Sequence, residues 1–164
     1  MAEQKEGATL KQFFDKLNSL GKKTDDDFLF YPKPIIYMSE TDFPCVTYSI
    51  SNRQPWEEFS GHKPRWKNEE TNMNKEDKKT VTYSQMFETQ VEFSIWGRSY
   101  KKVNEYREWF EQFMIRHTKD FKKMGMLEVV FSEQKTDNLE TVNENEFIVQ
   151  PLIYYVRNER IDKF

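Results

Sequence analysis

The stretch FETQVEFSIWGRSYKKVNEYREWFEQFM, Phe87 to Met114, decides how this chain folds. Phe87, Thr89, Val91, Phe93 and Ile95 alternate with Glu88, Gln90, Glu92, Ser94 and Trp96, the period of two that sets one strand face on a core and leaves the other mostly polar. Gly97 and Arg98 break that alternation, and Ser99 is placed to cap a helix. Tyr100, Val103, Tyr106, Trp109, Phe110, Phe113 and Met114 then recur at steps of three and four. A strand therefore runs straight into a helix with an aromatic stripe.

Outward toward the C-terminus, Arg116, Lys119, Lys122 and Lys123 read as the end of that helix, where cations complement the helix dipole. Gly125 then turns the chain into a strand at Met126 to Phe131. Ser132 to Glu146 reads as an acidic loop, and Phe147 to Val156 as a further strand. In the other direction, Leu10, Phe13, Phe14, Leu17 and Leu20 fall at helical spacing, with Thr9 as N-cap and Gly21 closing the C-terminus. Lys22 to Asp27 is a polar linker into a first strand, Phe28 to Tyr31, which Pro32 and Pro34 interrupt. Ile35 to Met38 and Pro44 to Ser51 are β-rich, with Ser39 to Phe43 as the turn between them.

The expected fold class is α+β, a mostly antiparallel sheet with helices packed on one face. One domain should span 1–164, with an N-terminal helix in 1–21 and a strand-helix-strand-strand core in 81–156. Residues 53–80 are too long and polar for an ordinary connection. They still carry Trp56, Phe59, His62, Arg65 and Trp66, so they read as a hairpin-like insertion or arm that contacts a partner, since Trp and Arg dominate interface hot spots. A loop folded back on its own domain is the alternative.

Only 37% of the 164 residues are hydrophobic, but 14 Phe, 8 Tyr and 4 Trp give the core large side chains to bury. The net charge of -3 argues against tight, sequence-independent binding to a phosphate backbone. A single cysteine, Cys45, excludes an intramolecular disulfide and fits a reducing compartment. Met1 to Gly7 lacks an apolar run, and no stretch approaches the length of a membrane span, so neither secretion by that route nor a membrane partner is expected.

No chemistry-bearing motif emerges. Cys45 in a strand reads as a small core hydrophobe, His62 as a loop residue and His117 as a capping residue, so no nucleophile and base are paired. Asp25, Asp26 and Asp27 read as a solvated linker rather than a metal site, and no glycine-rich turn cradles phosphate. No enzyme activity, metal or cofactor is expected.

The Phe87 to Met114 stretch resembles the strand-turn-helix core of tail terminator proteins of long-tailed bacteriophages. The later strands, closing in PLIYYVRNER (Pro151 to Arg160), are similar to that family's terminal hairpin. The resemblance implies a virion protein of the tail or neck region, assembled in the host cytoplasm. Such a protein forms a homo-oligomeric ring, usually of six, at the head-proximal end of the tail tube. It ends tube polymerisation and joins tail to head, with the tube protein and a neck or connector protein as partners. DNA would meet it only in passage. On this reading Trp56, Phe59, His62, Arg65 and Trp66 anchor an arm on a neighbour, and Glu88, Glu92, Glu133, Asp137 and Glu140 are candidates to face the channel. Another neck or tail component, such as a tube or completion protein, and a stand-alone adaptor domain are the alternatives.

Overall fold

The structure, a computed structural model, describes residues 7–25, 27–33, 44–56, 64–71, 79–142 and 144–164. Along the chain follow α1 (Leu10–Thr24), β1 (Phe30–Pro32), β2 (Cys45–Pro55), β3 (Arg65–Thr71), β4 (Lys79–Gly97), α2 (Tyr100–Arg116), α3 (Thr118–Met124), β5 (Met126–Gln134), β6 (Asn138–Val142) and β7 (Asn145–Lys163). The expected α+β class holds, and the strands form one sheet.

Two long strands organise that sheet. β4 and β7 pair antiparallel without a break, from Gly97 opposite Ile148 to Thr82 opposite Lys163. At 3.4 Å per residue this ladder is about 50 Å long. Each long strand carries two shorter partners end to end on its outer side. β2 and β3 line β4, while β5 and β6 line β7. β1 adds a parallel pairing, Phe30 to Pro32 against Val46 to Tyr48.

The alternation read from Phe87 to Ile95 decides which face is covered. Val91, Phe93 and Ile95 point into the main core with Phe13, Phe14 and Leu17 of α1 and Phe110 and Phe113 of α2. Phe93 is its hub, with ring centroids 5.3 Å from Phe110, 5.4 Å from Tyr154, 6.2 Å from Phe30 and 6.5 Å from Phe14. Edge-to-face and tilted pairs of this kind add to what area burial alone supplies.

Both main helices start where the sequence places them. Thr9 Oγ1 accepts from the Gln12 amide while the Gln12 side chain accepts from the Thr9 amide, a reciprocal capping box. Ser99 accepts from the Lys102 amide at the head of α2. Gly125, at φ 115°, supplies the left-handed turn after α3 that a side chain would resist.

Several boundaries differ from the sequence reading. Gly21 does not end α1, which continues to Thr24; it lies where a Cβ would meet the Phe28 ring at 2.3 Å, so glycine there permits close packing rather than termination. The basic stretch after Met114 is two elements, because α2 stops at His117 and α3 starts anew. The segment 132–146 is not a loop: β5 runs on to Gln134, and β6 turns back on β7 as a hairpin. β2 and β7 extend to Pro55 and Lys163, well past the expected ends. The expected strand at Ile35 to Met38 and turn at Ser39 to Phe43 lie outside the described residues.

The face away from the helices is only half polar. Cys45, Trp96, Phe147 and Val149 form a second buried cluster there, and the Trp96 indole N–H donates to Thr47 Oγ1 at 2.9 Å. Cys45 is thus a fully buried core thiol.

Candidate functional site

β3, within the expected arm, pairs antiparallel with the start of β4 and is continuous with the sheet. β3 pairs with the first third of β4, Trp66 opposite Tyr83 and Thr71 opposite Lys79. The end of β7 runs along the other side of β4, Asp162 opposite Tyr83. A three-stranded ribbon results, extending the sheet beyond the end of β2. Backbone bonds between Val81 and Phe164, 2.9 and 3.0 Å, tie the residue after β7 to β4.

The ribbon presents aromatics to solvent. Trp66 is 61% and Phe164 77% exposed, and Tyr83 lies against Phe164 in an edge-on contact at 6.1 Å. Ordinary surfaces scatter single apolar residues, whereas here three aromatics group on one short ribbon. Tyr83 and Phe164 escaped the sequence reading. Their grouping arises from the register of β4 against β3 and β7, which no local pattern discloses.

The other arm residues have different fates. Trp56 follows β2, where its amide donates to Met86 at 2.8 Å and the Arg157 guanidinium lies 4.4 Å over its ring, so it is held by its own sheet. Arg65 opens β3 opposite Ser84. Phe59 and His62 lie outside the described residues.

Of the five acids named as channel candidates, Glu88, Glu92, Glu133 and Glu140 share the face away from the helices by strand register, and Asp137 does not. Glu88 and Glu92 stand on the sheet face opposite the helices and are largely buried in ion pairs. Arg157 holds Glu88 at 2.8 Å, while Lys33 and Lys135 approach Glu92 at 3.8 and 3.7 Å. Glu133 is exposed on β5, opposite Ile153, and Glu140 is part-buried on β6, opposite Phe147. Asp137 instead accepts from Gln150 Nε2 at 3.3 Å; the same amide donates to Asn104 of α2 at 2.7 Å, and Arg107 Nε donates to Gln150 Oε1 at 3.2 Å. That polar cluster belongs to the helix side.

Arg157 is a further residue that sequence reasoning missed. It stands in one row with Glu88 on β4 and Glu128 on β5 and is hydrogen-bonded to both. Burial alone would lower its pKa, but the hydrogen bonds and charges of the two carboxylates outweigh that and hold it above its ordinary value. An arginine at an alternating position of a strand is the only sequence signal for it.

His117 Nδ1 meets Asp120 Oδ2 at 2.7 Å at the α2–α3 break, and its ring packs on Phe113 at 4.7 Å. The pair is local, with no nucleophile beside it among the described residues. Those residues contain no cluster of three or more His, Cys, Asp or Glu able to hold a metal, and no helix among them is long and apolar enough to cross a membrane. A shallow apolar groove of about 160 Å³ runs between the end of α2 and β5, lined in part by Met114, Ile115, Val129, Phe131 and Tyr154. No protein-family model and no curated protein matches the chain.

Proposed function

We propose that the chain is a structural subunit of a phage tail, resembling a tail terminator, that closes as a ring on the head-proximal end of the tail tube and joins it to the head connector. The ribbon of β3, β4 and β7 carries this reading, with Trp66, Tyr83 and Phe164 on it. The main core is complete without it, since α1, α2 and α3 pack over Val91 to Ile95 and Leu152 to Val156. A projecting, aromatic-bearing extension suits attachment to a neighbour, where large side chains become the buried anchors of an interface. Catalysis is no part of this reading. Channel-facing acids are now best sought at Glu133, because Glu88 and Glu92 are already offset by cations.

The double variant Trp66→Ala/Tyr83→Ala tests the proposal. Both residues are exposed, so thermal stability should stay within about 0.5 kcal/mol of the parent chain. Native mass spectrometry should lose the ring, and tails assembled with the variant should have uncontrolled length. Normal rings and tails of normal length from a folded variant would exclude the ribbon as the attachment surface.

A further inference from the structure

We propose that two copies of this chain pair antiparallel through the exposed flank of α2 and α3, with Ile115 at the two-fold axis. The contact is separate from the ribbon and does not depend on the ring reading. In free chains it makes a dimer, and in a ring it joins subunits of two rings. Every residue that carries it lies in the described segment 79–142.

Ile115 is 75% exposed, although it borders the apolar groove of about 160 Å³. Glu111, Ile115 and Thr118 line that groove from the helices, and Val129 and Phe131 line it from β5. It has room for one aliphatic side chain, so Ile115 of each copy can seat in the groove of the other. The helical path is nearly continuous here, because the His117 amide donates to the Phe113 carbonyl and the Phe121 amide to the His117 carbonyl. Glu108 and Lys122 therefore stand on the same flank, one turn beyond Glu111 and Thr118. Glu108, Lys119 and Lys122 are all exposed.

Charge selects a second copy as the occupant. Residues 105–111 hold Glu105, Glu108 and Glu111 against Arg107, a net of -2. Residues 116–123 hold Arg116, Lys119, Lys122 and Lys123 against Asp120, a net of +3. Asp137, which shares Gln150 with Arg107, adds a carboxylate at the acidic end. A two-fold axis at Ile115 sets Glu111 opposite Lys119 of the second copy and Glu108 opposite its Lys122, and does so twice. Lys101 and Lys102 fall beyond this contact, since α3 of the second copy ends at Met124. A parallel pairing would place like charges together, whereas the antiparallel one is self-complementary and isologous. The helix dipole accounts for cations in a last turn. It does not account for an isoleucine left in water between two blocks of opposite charge.

Sedimentation velocity of the full-length chain carrying Trp66→Ala and Tyr83→Ala tests this, because that background lacks the proposed ribbon contact. The background chain should be a dimer. Adding Ile115→Glu should weaken self-association at least about tenfold while leaving the melting temperature unchanged, since the residue is exposed. Glu108→Lys and Lys122→Glu, each added alone, should also weaken it, and an equimolar mixture of the two should regain the dimer, because both charge pairs are again opposite. A background chain that stays monomeric at about 100 µM overturns the proposal and leaves this face to a different protein. A dimer that Ile115→Glu leaves intact, or a mixture no tighter than its components, overturns it equally. Rings that survive Trp66→Ala/Tyr83→Ala refute the ribbon reading alone, and the Ile115, Glu108 and Lys122 variants then test the same contact as a pairing of rings.

Discussion

Arg157 stands directly opposite Glu88 across the β4–β7 ladder, its Nε donating to that carboxylate at 2.8 Å while Nη1 reaches Glu128 on the other side. One cation thus joins three strands on the face away from the helices. Removing it leaves two carboxylates in one row, so Arg157→Ala should lose about 1–3 kcal/mol, less than a fully buried pair because the row is partly open to water. Adding Glu128→Gln should recover part of the loss in chemical denaturation. An unchanged midpoint in Arg157→Ala would mean that the row carries no net stability. Glu88→Lys is for the same reason a probe of the fold before it is a probe of any channel.

Gly21 is set by contact with Phe28, since an added Cβ would lie 2.3 Å from the ring. Gly21→Ala improves helix propensity by about 1 kcal/mol but forces the ring away, at an overpacking cost of about 1–3 kcal/mol. The net change should be a lower melting temperature, partly restored by Phe28→Leu. A more stable Gly21→Ala would show that helix propensity outweighs the clash.

Phe93 touches rings from α1, β1, α2 and β7 and has no exposed surface. Phe93→Ala should destabilise the fold by about 3–5 kcal/mol, enough to leave a domain of this size close to unfolded. Circular dichroism melts give the comparison; a loss under about 1 kcal/mol would mean that the neighbouring rings collapse into the space.

The hydrogen bond from His117 holds the Asp120 carboxyl below its ordinary value, helped by the charges of His117, Lys16 and Lys123. The folded chain therefore binds that proton less readily than the unfolded one. The stabilisation is present above the unfolded carboxyl's pKa, near 4, and fades as pH falls through the lower folded value. Asp120→Asn should lower the melting temperature by about 1–3 °C near neutral pH, with the gap closing in acid. A gap that persists at low pH would assign the effect to packing instead.

How much was legible in advance differs from element to element. The period of two from Phe87 to Ile95 and the step of three to four from Tyr100 to Met114 are local signals, and both elements fold where those signals place them. Thr9 and Ser99 are legible for the same reason, because a cap acts on amides two or three residues away. The break at His117 was not legible, since the aromatic and basic pattern runs on past it while the backbone starts a second helix.

Among the site residues, Trp66 was legible as a bulky aromatic in a polar stretch. Its companions Tyr83 and Phe164 and the pairing of Glu88 with Arg157 were not. Tyr83 lies 17 and Phe164 98 positions from Trp66, and Arg157 lies 69 from Glu88, so they meet only through strand register. The sequence alone determined the α+β class, the strand-to-helix core and its aromatic filling, because these depend on periodicity within about one element. Tertiary structure decided which acids are paired and which aromatics group on the ribbon. Register is a property of several distant segments at once, and no local pattern contains it.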